Sequence, residues 1–122
     1  MEKTDLLITL THNEDNENNV TVAFVMGAAA LDKGHKVELV LLSNAVKLGA
    51  KEEPTIAIGD PFPAVKDARD AYLAKGGVLK ICKACMIHNG VDEADLIDGT
   101  IVISAPDVID AIMNAEKTLQ LN

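Results

Sequence analysis

Apolar runs of strand length alternate along this chain with segments of helical period. Asp5 to Leu10 is an apolar run closed by polar Thr11, His12 and Asn13, as in a strand buried on both faces of a parallel sheet. After a polar stretch from Asn13 to Asn19, Val20, Phe24, Gly27 and Leu31 recur at helical spacing, and Gly34 supplies the stop. Gly27, Ala28, Ala29 and Ala30 keep that helix slim enough to approach a sheet, or a second subunit, closely. Lys36 to Leu42 predicts a second strand, with Ser43 as N-cap of a short helix through Leu48. Ala64, Ala68 and Tyr72, with Val65 and Ala71 beside them, predict a helix ended by Gly76 and Gly77, and Val78 to Cys82 a third strand. Thr100 to Ser104 predicts a fourth strand. Pro106 then opens a helix whose apolar side is Val108, Ile109, Ile112 and Ala115, and Thr118 to Leu121 is a short fifth strand.

Strands alternating with helices at this spacing imply right-handed βαβ crossovers, hence an α/β fold of three layers with a mainly parallel sheet covered on both faces. Ligand sites in such sheets lie beyond the carboxyl ends of the strands, which here are Thr11, Ser43, Cys82 and Ser104. Two tracts have no lasting period. Gly49 to Pro63 carries three of the four prolines, and Gly90 to Gly99 is rich in acid. Both read as docking surfaces, the longer one also as a lid or a disordered segment.

Length and composition narrow the class. At 122 residues, with 48% hydrophobic and 25% charged side chains, the chain reads as one domain over residues 1–122 with a core large enough to need no staples. Eleven basic against nineteen acidic residues give a net charge of −8, which repels phosphate backbones and anionic lipid, so neither nucleic acid nor membrane is expected as a partner. Phe24, Phe62 and Tyr72 are the only aromatics, too few for a base-stacking platform. The first apolar run is too short for a secretory signal and no segment reaches membrane-spanning length, so a cytoplasmic location is expected.

The chemistry concentrates in Ile81-Cys82-Lys83-Ala84-Cys85-Met86-Ile87-His88-Asn89-Gly90. This stretch puts a dithiol at a strand-to-helix junction. Cys82 falls near the N-cap of a short helix from Ala84 to Asn89, where unpaired N–H groups favour a thiolate, and Lys80 and Lys83 push the same way. Asp92, Glu93, Asp95 and Asp98 would push in the opposite direction if they fold back. Three other readings stand beside a reactive thiol. The pair is a redox switch, although the aromatic and the Gly-Pro of the thioredoxin motif are missing. It is two small buried hydrophobes. Or Cys82, Cys85 and His88, joined by His12 from the end of the first strand, bind zinc, a reading disfavoured because so apolar a core needs no metal. His88 alone would be a local proton acceptor near the thiols, and His35 is structural. Glycine-rich phosphate loops and nucleophile elbows are absent, so no cofactor is expected. Ser43 and Ser104 read as helix caps.

The run G-V-L-K-I-C-K-A-C-M-I-H-N-G-V from Gly77 to Val91 resembles the DsrE/DsrF-like family, which includes the TusD-type sulfur-relay subunits. The apolar first strand, the small-residue first helix, the Gly34-His35 turn and the T-I-V-I-S strand at Thr100 agree with it over nearly the whole chain. The resemblance implies a five-stranded parallel sheet in a three-layer sandwich, assembly into homo-trimers or homo-hexamers, and sulfur handling by a reactive cysteine. That cysteine matches Cys82, which would carry a persulfide between donor and acceptor proteins. Cys85 stands where several such subunits have a small apolar residue, and as a nearby thiol it can attack the persulfide, releasing sulfide and leaving a disulfide. The expected function is therefore that of a small sulfur carrier or sulfurtransferase-like protein, acting through Cys82 and Cys85 with His88, Lys83 and His12 as auxiliary residues. The alternatives are a dithiol/disulfide redox protein and an oligomeric binding protein without catalytic activity. The acidic balance would select a basic partner.

Overall fold

The computed structural model describes residues 2–122. Five strands, β1 (Thr4–Leu10), β2 (Val37–Leu41), β3 (Val78–Cys82), β4 (Thr100–Ile103) and β5 (Ala115–Leu121), form one sheet in the order β4-β3-β2-β1-β5. Every neighbouring pair is parallel. Four helices connect them: α1 (Glu17–Asp32), α2 (Val65–Ala74), α3 (Lys83–Asn89) and α4 (Ala105–Asn114).

Alternation along the strands sorts side chains to two faces. Ile8, Leu39 and Leu79 stand at one level, Leu10, Leu41 and Ile81 at another, and all six join the core beneath α1 and α2. Leu7, Val40, Cys82 and Ile103 point the other way and meet Val108 and Ala111 of α4. The three expected layers are thus present, with α1 and α2 on one side and α4 on the other.

Tyr72 fixes the larger core. Fully buried, it meets the Phe24 ring edge-on at 6.2 Å, and its hydroxyl donates to the Val78 carbonyl at 2.6 Å. Burial pushes the phenol pKa well above its ordinary value, aided by the Glu38 charge. A Cβ at Gly27 would lie 2.8 Å from the same ring, so the smallness of α1 at this point serves its packing against α2.

Several expected details differ. Ala115 opens β5 and does not line α4, so the fifth strand is seven residues long. Ile109 points outward, 58% exposed, because α4 lies alone on its face and the sheet covers only its Val108 and Ala111 side. Ser104 does cap α4, in a reciprocal box with Asp107. Ser43 makes no cap: Leu42 precedes a 3-10 turn over Ser43–Gly49, and Ser43 itself takes φ +52°, a left-handed conformation that is strained for a side-chain-bearing residue. The tract after Gly49 has no regular structure, yet it is anchored by buried Ile56, whose carbonyl accepts from the Val65 N–H at 2.9 Å. Among the described residues no helix is long and apolar enough to cross a membrane.

Candidate functional site

Cys82 ends β3 and is the N-cap residue of α3, as the sequence predicts, but its side chain caps nothing. The alternation that sends Lys80 and Cys82 to the α4 side of the sheet puts the Cys82 sulfur among Val40, Ile103, Val108 and Ala111. The residue is 4% exposed. Cys85, one turn into α3, is half-buried and packs against both cores where they meet at the carboxyl edge of the sheet. Both cysteines are free, and Cys85 packs against the cluster that contains Cys82.

At Cys85 the neutral thiol is favoured over the thiolate. Burial pushes its pKa above the ordinary value and the Cys82 thiol adds to that, while the Ser43 backbone N–H pulls it down. Neither lysine is free to help. Lys80 pairs with Glu38, and Lys83, exposed, lies 3.8 Å from Glu93, one of the acidic residues expected to oppose it.

The site is held from beneath by Asn89. Its Nδ2 donates to the Cys85 carbonyl at 2.8 Å and to the Ser43 carbonyl at 3.2 Å, which ties α3 to the turn after β2. Gly90 then closes α3 at φ +72°, a left-handed cap that glycine adopts without steric cost. His88 is exposed in the last turn of α3. His12 leaves β1, two strands away from β3, and does not join the thiols. Its Nδ1 meets Asp15 Oδ2 at 2.6 Å, while Nε2 is buried beside the Asn122 backbone without a well-formed hydrogen bond. Asp15 in turn raises the His12 pKa, and the imidazole holds the Asp15 carboxyl down to about 2. Among the described residues no three His, Cys, Asp or Glu side chains converge as metal ligands would.

Arg69, the chain's single arginine, went unread in the sequence. It is 3% exposed, and its Nη1 donates to the carbonyls of Leu48 and Ala50 at 2.8 and 3.2 Å, fixing the segment that follows the Ser43 turn. The signal was available, because Arg69 shares the i, i+3, i+4, i+7 face of Val65, Ala68 and Tyr72. An arginine on an apolar face is buried with its charge satisfied or not at all.

The family model for DsrE/DsrF-like proteins matches residues 5–121. An uncharacterized protein of Methanocaldococcus jannaschii, MJ0989, is 28% identical over 90 residues, 74% of this chain and 75% of that one. Among solved structures, the ychN protein of E. coli superposes with a TM-score of 0.72 at 20% identity, covering 96% of this chain and 98% of that one. The conserved protein BT1422 of Bacteroides thetaiotaomicron superposes at 0.67 and 21% identity, covering 96% and 94%. These two likenesses show the fold, and the family match extends over nearly every residue from β1 through β5. The chain belongs to the DsrE/DsrF-like family, which is generally associated with sulfur relay.

Proposed function

We propose that the Cys82–Cys85 pair carries sulfane sulfur as a persulfide between a donor and an acceptor protein, with Cys85 as the thiol that meets the donor. The observation that carries this reading is a half-buried thiol set against a sealed one at the carboxyl edge of the sheet. The resemblance alone would give the carrier role to Cys82, and the difference in exposure supports the reverse order. The Cys85 thiolate attacks the outer sulfur of the donor persulfide. A new S–S bond forms at Cys85 as the donor's S–S bond breaks, and the electron pair leaves on the donor thiolate, which takes up a proton. Exposed His88, three residues beyond Cys85, is the proton acceptor for the attacking thiol in this reading. An acceptor thiolate repeats the step and restores Cys85. Without an acceptor, the Cys82 thiolate attacks Cys85 Sγ, expels hydrosulfide and leaves a disulfide.

Because both groups must be available as thiols, the proposed setting is reducing, the cytoplasm. Ile101, Ile109 and Met113, exposed at 46%, 58% and 75%, support assembly of copies through the α4 face.

The test is intact mass after exposure to a small persulfide donor. Brief exposure adds one sulfur atom to wild type and to Cys82→Ser and none to Cys85→Ser, and on longer exposure wild type alone loses that sulfur as hydrosulfide and ends as the disulfide. A Cys85→Ser protein that gains sulfur as fast as wild type contradicts the reading. The packing of Cys85 against the core cluster that holds Cys82 also supports a dithiol/disulfide function, for which the signature is loss of two hydrogens on mild oxidation with no persulfide donor present.

A further inference from the structure

The two irregular tracts of the chain meet at the C-terminal end of α3. Ala50 bridges antiparallel to Leu96, the Lys51 N–H donates to the Asp95 carbonyl at 2.7 Å, and the Ile97 N–H donates to the Gly49 carbonyl at 2.9 Å. Between them, and under the end of α3, lies a cleft of about 590 Å³, a volume typical of a binding site. Asn89 stands in its wall. The same side chain holds the Cys85 carbonyl four residues back, so the cleft wall stands about one helical turn along α3 from the residue that bears the half-buried thiol.

Its charge has a definite sign. Glu14, Glu52, Glu53 and Asp95 line it against Lys47 and Lys51, two more carboxylates than ammonium groups. Glu53 lies 4.0 Å from Lys66, whereas Glu14, Glu52 and Asp95 have no basic partner among the described residues. Beyond the lip, Asp92, Glu93 and Asp98 extend the same sign, with only Lys83 near Glu93. Elsewhere Lys36, Lys75 and Lys80 each sit on a carboxylate, whereas most carboxylates of the cleft and its lip have no such ion pair. Leu48, Ile56 and Val91 add an apolar side to the wall.

We infer that this cleft receives a peptide segment of the sulfur-exchanging partner in which lysine or arginine flanks the reactive cysteine. The inference rests on the proposed sulfur-carrier reading and names the partner chemistry for that site. Basic side chains settle against Glu52, Asp95 and Glu14, the stem methylenes lie along the apolar wall, and the partner's cysteine is left facing Cys85. Opposite charge guides the encounter and fixes the register, and it does so over distances that salt shortens.

Binding is separated from chemistry by using the Cys82→Ser/Cys85→Ser protein and fluorescently labelled peptides with a central serine in place of cysteine, flanked by arginines, alanines or glutamates. The arginine peptide is expected to bind at least about tenfold more tightly than the glutamate peptide at low salt, with the preference collapsing in high salt. Glu52→Lys with Asp95→Lys, both at exposed positions, should abolish or reverse it. Equal affinity of the three peptides, or a preference the double substitution leaves unchanged, overturns the inference. So does free cysteine displacing the arginine peptide at equal concentration, which would make the cleft a site for a small zwitterionic thiol. Sulfur uptake from a small donor by the wild-type protein is measured alongside. Its loss with peptide binding intact counts against the carrier reading alone, and its persistence without peptide selectivity counts against the cleft alone.

Discussion

The sheet is roofed closely on one face and sparsely on the other. Under α1 and α2, Tyr72 is held by Phe24, two carbonyls and glycines that admit its ring, and every large side chain nearby is sealed. Under α4 a single helix crosses the sheet, a Glu38–Lys80 ion pair occupies part of the surface, and Ile101, Ile109 and Met113 remain uncovered. Cys82 belongs to the sparse side and Cys85 to the edge where the two sides join. The stability of the fold therefore rests mainly on the first face, which leaves the thiol edge free to be shaped by chemistry and docking.

The largest effect should come from the packed face. Tyr72→Ala removes its ring and two hydrogen bonds and is expected to cost about 3–5 kcal/mol by denaturant unfolding, whereas Val108→Ala beneath α4 should cost about 1–2 kcal/mol. Similar losses at both positions would erase the contrast. Next is Arg69→Ala, which strands the Leu48 and Ala50 carbonyls and should lower stability by about 2–3 kcal/mol. Arg69→Lys should recover only part of this, since an ammonium cannot span both carbonyls as a guanidinium fork does.

Smaller effects concern the edge itself. Because burial raises the Cys85 pKa, its alkylation rate should climb about tenfold per pH unit from neutrality and keep climbing past 9.0, the ordinary thiol value. A plateau near neutrality would mean that the thiolate is favoured after all. The smallest effect is at His12, whose imidazole should titrate by NMR above 6.5 in the wild type and fall back in Asp15→Asn. The sign follows from the raised value. The pair's support on the histidine side is complete below the unfolded value of 6.5 and fades as pH rises through the folded one. On the Asp15 side it is present above 3.8 and is lost as pH falls toward about 2.

Much of this architecture was legible in the residues. Buried parallel strands announce themselves as apolar runs, and Cys82 was read correctly as the last residue of β3 and the cap of a short helix. The Val108, Ile112, Ala115 spacing continued helical period into what is the first residue of β5, so periodicity alone could not divide helix from strand there. Strand alternation did encode the side to which Cys82 points, but not that α4 would lie over it. The left-handed Ser43 was hidden because serine carries no signal for that conformation. The cleft depends on distant tracts coming together, as the backbone bond from Lys51 to Asp95, 44 residues on, shows, and no local pattern records that pairing.

The central claim, that Cys85 holds the transferred sulfur, can be read directly because Lys80 and Lys83 bracket Cys82 and leave Cys85 beyond the second cleavage site. Wild-type protein is exposed briefly to a persulfide donor, the adduct is trapped with an alkylating agent, and trypsin separates Cys82, in the peptide Ile81 to Lys83, from Cys85 in the one that follows. The account predicts the extra sulfur in the Cys85 peptide, with Cys82 unmodified. Sulfur found on the Ile81 to Lys83 peptide, or on neither, contradicts it.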